Sequence, residues 1–170
     1  MITTKILIVD DELIMRESLS AWLERDGYDV SKASSGEEAL TLLKSNRFDI
    51  LLVDIKMEGM SGIELLKHIN ESDSDAAVVM ITAYGSISTS IEAMKLGATD
   101  YLLKPFDPGE LSVLIEKILS ERAKTIENLY LRDQHQERSR FESMIGQSPK
   151  MQKIFDLIED VAPIDSTTLI

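Results

Sequence analysis

The chain has 170 residues, 44% of them hydrophobic, which suffices for one ordinary domain with a buried core plus an appendage. It has no cysteine, which excludes disulfides, thiol catalysis and thiolate zinc sites, and leaves only His68 and His135 as imidazole ligands. The formal charge of −12 is concentrated at the front: residues 1–120 hold 11 Lys and Arg against 21 Asp and Glu, whereas 121–170 hold 7 against 9, and so acidic a surface is a poor match for nucleic acid.

The start, Met1-Ile2-Thr3-Thr4-Lys5, runs straight into an apolar segment with no signal-peptide pattern, and no apolar stretch approaches the roughly 20 residues of a membrane span. A cytoplasmic protein with no membrane partner is expected. Short apolar runs recur at 5–9, 28–32, 49–53, 77–82 and 99–103, each followed by a stretch with helical spacing. Helix starts are signalled by two capping-box pairs, Ser35 with Glu38 and Ser61 with Glu64, and by Asp107-Pro108-Gly109-Glu110. Gly27, Gly85 and Gly97 fall where turns are needed. Repeated βα units predict an α/β fold, a doubly wound five-stranded parallel sheet of order 2-1-3-4-5.

From Pro108 the apolar stripe continues through Leu111, Leu114, Ile115, Ile118, Leu119, Ile126 and Leu129, with no Gly or Pro from 110 to 145. The spacing predicts a helix of roughly 25 to 30 residues whose outer half needs a partner, with a weak heptad seam at Ile115, Leu119, Ile126 and Leu129 interrupted by Arg122 and Asp133. A homodimer is the expectation, a solvated linker the alternative. The organisation expected is a first domain over 1–122, a helical linker over 123–143, with 132–142 as its most polar part, and the start of a second domain over 144–170. There Ser148-Pro149 opens a periodic segment and 167–170 reads as a strand cut inside that domain.

The chemistry lies at strand ends. Asp10 and Asp11 follow Ile-Leu-Ile-Val, and Asp54 follows Ile-Leu-Leu-Val. Unalternating branched runs read as strands buried on both faces, and their carboxyl ends open onto the crevice at the switch point between strands one and three. Three carboxylates gathered there repel one another unless a hard cation neutralises them, which points to Mg²⁺ held by Asp10, Asp11, an oxygen of Asp54 and the backbone carbonyl of Lys56. Asp54, alone and facing the pair, is the expected phosphoryl acceptor. Thr82 offers a hydroxyl to a phosphoryl oxygen and Lys104 a fixed cation. Each has a bland reading as a helix cap, a strand end or a surface charge, and Tyr101 one as an aromatic at a sheet edge. A dehalogenase-type phosphatase expects Asp-x-Asp after strand one, and a flavin binder needs a Ser/Thr-rich phosphate loop there; Asp10-Asp11-Glu12 suits neither.

The segments ILIVDDE (6–12), LLVDIKMEGMSG (51–62), VVMITAYG (78–85) and LGATDYLLKPF (96–106) resemble the receiver domain of bacterial two-component response regulators over about residues 4–122. The resemblance implies phosphotransfer from a sensor histidine kinase to Asp54, Asp10 and Asp11 as metal ligands, Thr82, Tyr101 and Lys104 as switch and signalling residues, and a cis peptide at Lys104–Pro105. It implies a switch with self-catalysed phosphorylation rather than a turnover enzyme. One departure stands out: Glu58 occupies a place where the family usually has Pro, so a less rigid loop is expected after Asp54. The segment 144–170 is similar to the beginning of the AAA+ ATPase domain of sigma-54-dependent activators of the NtrC type. That implies ATPase, sigma-54 RNA polymerase and DNA contacts only in a longer parent protein. A stand-alone receiver acting by protein contact is the alternative.

Overall fold

The computed structural model describes residues 3–72, 74–83 and 87–137, together with 148, 150, 151, 153, 154 and 156; the side chains of 87–90 and 126–137 lie outside this description. Packing divides the chain into Met1–Ile118 and Leu119–Ile170, each taken by itself below.

The first unit alternates strand and helix: β1 (Lys5–Val9), α1 (Leu13–Arg25), β2 (Asp29–Ala33), α2 (Gly36–Ser45), β3 (Ile50–Asp54), α3 (Gly62–Asn70), β4 (Ala77–Ala83), α4 (Ile87–Lys95), β5 (Asp100–Lys104) and α5, which begins at Pro108 and ends at Glu137 in the second unit. The strands form one parallel sheet of order β2-β1-β3-β4-β5, as expected. Every residue of β3, and all of β1 after Lys5, is buried, because helices cover both faces. Of the edge strands, β2 buries only Ala33, and β5 alternates between half-buried and exposed positions.

Successive strand residues face opposite ways, which divides the core in two. Leu7, Val9, Leu51, Val53, Val78 and Met80 pack with Ala39 of α2, Leu65, Leu66 and Ile69 of α3 and Ala93 of α4. Ile6, Ile8, Ile50 and Leu52 face the other layer, where α1 buries Leu19 and Leu23 and α5 buries Leu111, Ile115 and Ile118. Each such side chain contributes about 1.5–3 kcal/mol on burial.

The helix starts follow their sequence signals with one difference. Ser61 forms both arms of a capping box with Glu64. Ser35 accepts from the Glu38 N–H, but the Glu38 carboxylate turns to the N–H and hydroxyl of Ser34, so the second arm is shifted by one residue. Asp107 accepts from the Gly109 N–H and opens α5 at Pro108. Gly27 and Gly97 take positive φ at turns, as does Gly59; Gly85 lies outside the described residues. The Lys104–Pro105 peptide is cis.

The expected seam on α5 needs one correction. Ile115 is fully buried in the core of the first unit and has no face left for a partner helix, whereas Ile126 and Leu129 lie among the side chains outside the description. In the second unit α5 continues to Glu137, and further on the Met151 N–H donates to Ser148 Oγ at 3.3 Å, a helix cap at the expected place. The segment 157–170, with its expected strand, lies outside the described residues.

Candidate functional site

Strand register assembles the site. Val9 pairs with Val53 across β1 and β3, so Asp10 and Asp54, the next residues, emerge side by side at the switch point. Asp54 pairs with Ile81 and Ala83 with Lys104, which brings Thr82 and Lys104 to the same end of the sheet. Four chemistry-bearing residues thus arrive at one edge because four parallel strands end together.

Asp10 is 1% exposed. Its Oδ1 accepts from the Glu12 N–H at 2.8 Å, a local turn that starts α1, and its Oδ2 accepts from Lys104 Nζ at 2.8 Å. Its backbone carbonyl accepts from the Arg16 guanidinium at 2.6 Å. Asp54, also buried, lies 3.5 Å from the same Lys104 nitrogen. Asp11 is exposed, and its Oδ2 accepts from the backbone N–H of Glu58 at 3.1 Å. One oxygen from each of Asp10, Asp11 and Asp54 can be taken so that all lie within 4.8 Å of one another.

Burial pushes the Asp54 carboxyl above its usual range; Lys104 pulls it back, and the negative charges of Asp10 and Asp11 add to the rise. For Lys104 burial acts downward, but the hydrogen bond to Asp10 and the fields of Asp54 and Asp10 outweigh it, so the ammonium titrates above its usual 10.5. Among the described residues, Lys104 is thus the cation paired with the carboxylates of Asp10 and Asp54, and with Asp11 the cluster holds three acids. The donors are all hard oxygens with no imidazole or thiolate among them, a set that fits a hard divalent cation and not a zinc site.

The other expected site residues are Thr82, Lys56 and Tyr101. Thr82 is buried, but its hydroxyl donates to the carbonyl of Ala83 at 3.2 Å rather than to Asp54. Lys56 is exposed in the loop two residues beyond Asp54. Tyr101 is 43% exposed in mid-strand, paired with Met80, three residues or roughly 10 Å along β5 from Lys104. Three contributors have no counterpart in the sequence reading: the Glu12 and Glu58 backbone N–H groups and the Arg16 side chain. The first two act through main chain, which side-chain identity does not advertise. Arg16 was findable, since it lies one turn into α1, directly behind the acidic pair. Gly62 completes the support: a Cβ there would stand 2.2 Å from the Asp54 carbonyl oxygen, so α3 meets the end of β3 only because that side chain is missing.

Residues 6–116 match the family model of the response regulator receiver domain. The chain belongs to that family. It is 39% identical to the transcriptional regulatory protein ZraR of Salmonella typhimurium over 165 residues, 97% of this chain and 36% of that protein. It is 33% identical to the regulatory protein AtoC of Escherichia coli K12 over 160 residues, 94% of this chain and 34% of that one. The chain thus spans about a third of the length of these relatives. Among solved structures, a CheY-like receiver from Methanospirillum hungatei superposes with a TM-score of 0.70 at 33% identity, over 73% of this chain and 99% of that one. The chemotaxis protein CheY4 of Vibrio cholerae gives 0.66 at 32%, over 69% and 99%.

Proposed function

We propose that this receiver accepts a phosphoryl group on Asp54 from a phosphohistidine of a sensor histidine kinase, and that Mg²⁺ is held by Asp10, Asp11, an oxygen of Asp54 and the Lys56 carbonyl. The observation that carries the reading is the placement of Asp54: a buried carboxylate within 4.8 Å of two other acids and 3.5 Å from a fixed ammonium. In the transfer an Asp54 oxygen attacks phosphorus, the N–P bond breaks, and its electron pair stays on the imidazole, which takes up a proton. An acyl phosphate results. Small phosphodonors serve the same self-catalysed step. The bound cation supplies charge neutralisation on the phosphoryl oxygens. Lys104 is positioned to follow the new charge from Asp54 outward, and the Thr82 hydroxyl reaches it by rotating away from the Ala83 carbonyl. Tyr101, exposed here, turns inward as Thr82 moves, shifting the population between two packings.

The alignment with ZraR runs through nearly the whole chain, past the end of the receiver match at 116. That supports reading 1–122 as the receiver, 123–143 as a linker, and 144–170 as the opening of the AAA+ domain of a cytoplasmic sigma-54-dependent activator. In such a parent protein, ATP hydrolysis and contacts with sigma-54 RNA polymerase and DNA belong to other domains, and a homodimer links the receivers.

The test is intact-mass measurement after incubation with acetyl phosphate and Mg²⁺. A single phosphoryl adduct is expected on the parent chain and none on Asp54→Asn; a full-stoichiometry adduct on the variant overturns the assignment.

A further inference from the structure

We infer that the backbone N–H of Glu58 is a positioning donor for the cation pocket, holding the carboxylate of Asp11 in line with Asp10 and Asp54. The inference rests on the reading of the acidic cluster as a divalent-cation site. Asp10 and Asp54 are fixed by burial and by Lys104, but Asp11 is exposed and lies beyond the end of β1. Left alone, an exposed carboxylate beside two like charges gains both rotamer freedom and electrostatic relief by swinging into solvent. The Glu58 N–H, 3.1 Å from Asp11 Oδ2, opposes that swing.

A donor can orient an acid only if it is itself held. The loop between β3 and α3 is secured at both ends: the Ile55 N–H donates to the Ile81 carbonyl, the Gly62 N–H to the Ile55 carbonyl, and the Ser61–Glu64 capping box closes the far end. In between, Gly59 turns the chain at a φ of +77°, and the Met60 side chain lies on Gly36 at the start of α2. The Glu37 carboxylate is held below its usual range by its own N–H, the Ser35 hydroxyl and the Met60 N–H, a further tie between α2 and this loop. Without Pro at 58, the loop is joined by hydrogen bonds, one of which Pro could not donate. Partners that orient metal ligands typically govern 10–100-fold in metal affinity.

The test compares Mg²⁺ titrations, followed by melting temperature, of the parent chain, Glu58→Gln and Glu58→Pro. Both variants remove the same charge, and only Pro removes the N–H. Affinity about 10-fold weaker in Glu58→Pro than in Glu58→Gln is expected; equal affinities in the two overturn the inference. A parent chain that shows no Mg²⁺-dependent shift refutes the cation site itself, which is a separate outcome. If Glu58→Pro does not fold, amide hydrogen exchange at Glu58 in metal-free protein decides: exchange roughly 10-fold faster in Asp11→Ala supports the bond, and unchanged exchange overturns it.

Discussion

Lys104 Nζ sits 2.8 Å from Asp10 Oδ2 and 3.5 Å from Asp54 Oδ2, so a single ammonium from the last residue of β5 is shared by acids at the ends of β1 and β3. Removing it leaves two buried carboxylates without their counter-charge. Lys104→Met is expected to destabilise the metal-free protein by about 3 kcal/mol in urea unfolding at pH 7. Because the Lys104 pKa is raised, its contribution is complete below the ordinary 10.5 and is lost as pH rises through the higher folded value. A loss under ~0.5 kcal/mol at neutral pH contradicts this account.

Asp54 has the opposite sign. Its folded pKa is raised, chiefly by burial, so the ionised side chain weakens the fold as pH climbs from the ordinary 3.8 through the folded value. Asp54→Asn is therefore expected to stabilise the metal-free protein by ~1 kcal/mol at pH 7, with the gain vanishing below the ordinary carboxylate pKa. Thermal melts of both proteins in EDTA from pH 3.5 to 7.5 measure this; a gain that grows toward acid contradicts it.

Divalent cation should reverse that penalty. Mg²⁺ at about 100 times its dissociation constant stabilises the folded state by about 2.7 kcal/mol through mass action. Asp11→Ala should lose most of the resulting rise in melting temperature, and an unchanged rise means that the cation binds elsewhere.

Gly62 bears directly on Asp54. A methyl group 2.2 Å from the Asp54 carbonyl oxygen meets backbone, which cannot yield cheaply. Gly62→Ala is expected to cost about 3 kcal/mol and to slow phosphorylation by acetyl phosphate by displacing Asp54. Gly27→Ala, which meets no neighbour but keeps a positive φ, should cost only ~1 kcal/mol and leave phosphorylation untouched.

The proposed homodimer requires the part of α5 beyond the first unit, since Ile115 is spent on the core. Ile115→Ala should cost about 3 kcal/mol without altering association, whereas Ile126→Asp with Leu129→Asp should shift sedimentation toward monomer at little cost in receiver stability. The same monomer–dimer equilibrium in all three chains reduces the helix to a spacer.

The fold was readable wherever an element is buried on both sides. The unbroken runs 6–9 and 50–53 read as central strands, and their ends set Asp10 and Asp54 side by side. Boundaries slipped by one residue where side chains are ambiguous: Tyr28, expected in the second strand, instead donates its N–H to Leu23 and finishes the turn after α1. The burial of Ile115 was beyond a stripe that looks alike whether it faces a sheet or another helix. In the site, the charged side chains were readable because their chemistry is in their identity. The Glu58 and Glu12 donors were not, because any residue but proline carries the same N–H.

The stretch 55–61 between β3 and α3 is tied down at both ends, by the Ile55–Ile81 hydrogen bond on one side and by the seat of Gly62 and the Ser61 cap on the other. Adding or deleting one residue there would turn α3 by about 100° and carry Leu65, Leu66 and Ile69 out of the core. A substitution in this loop leaves that register intact, whereas a change in its length does not.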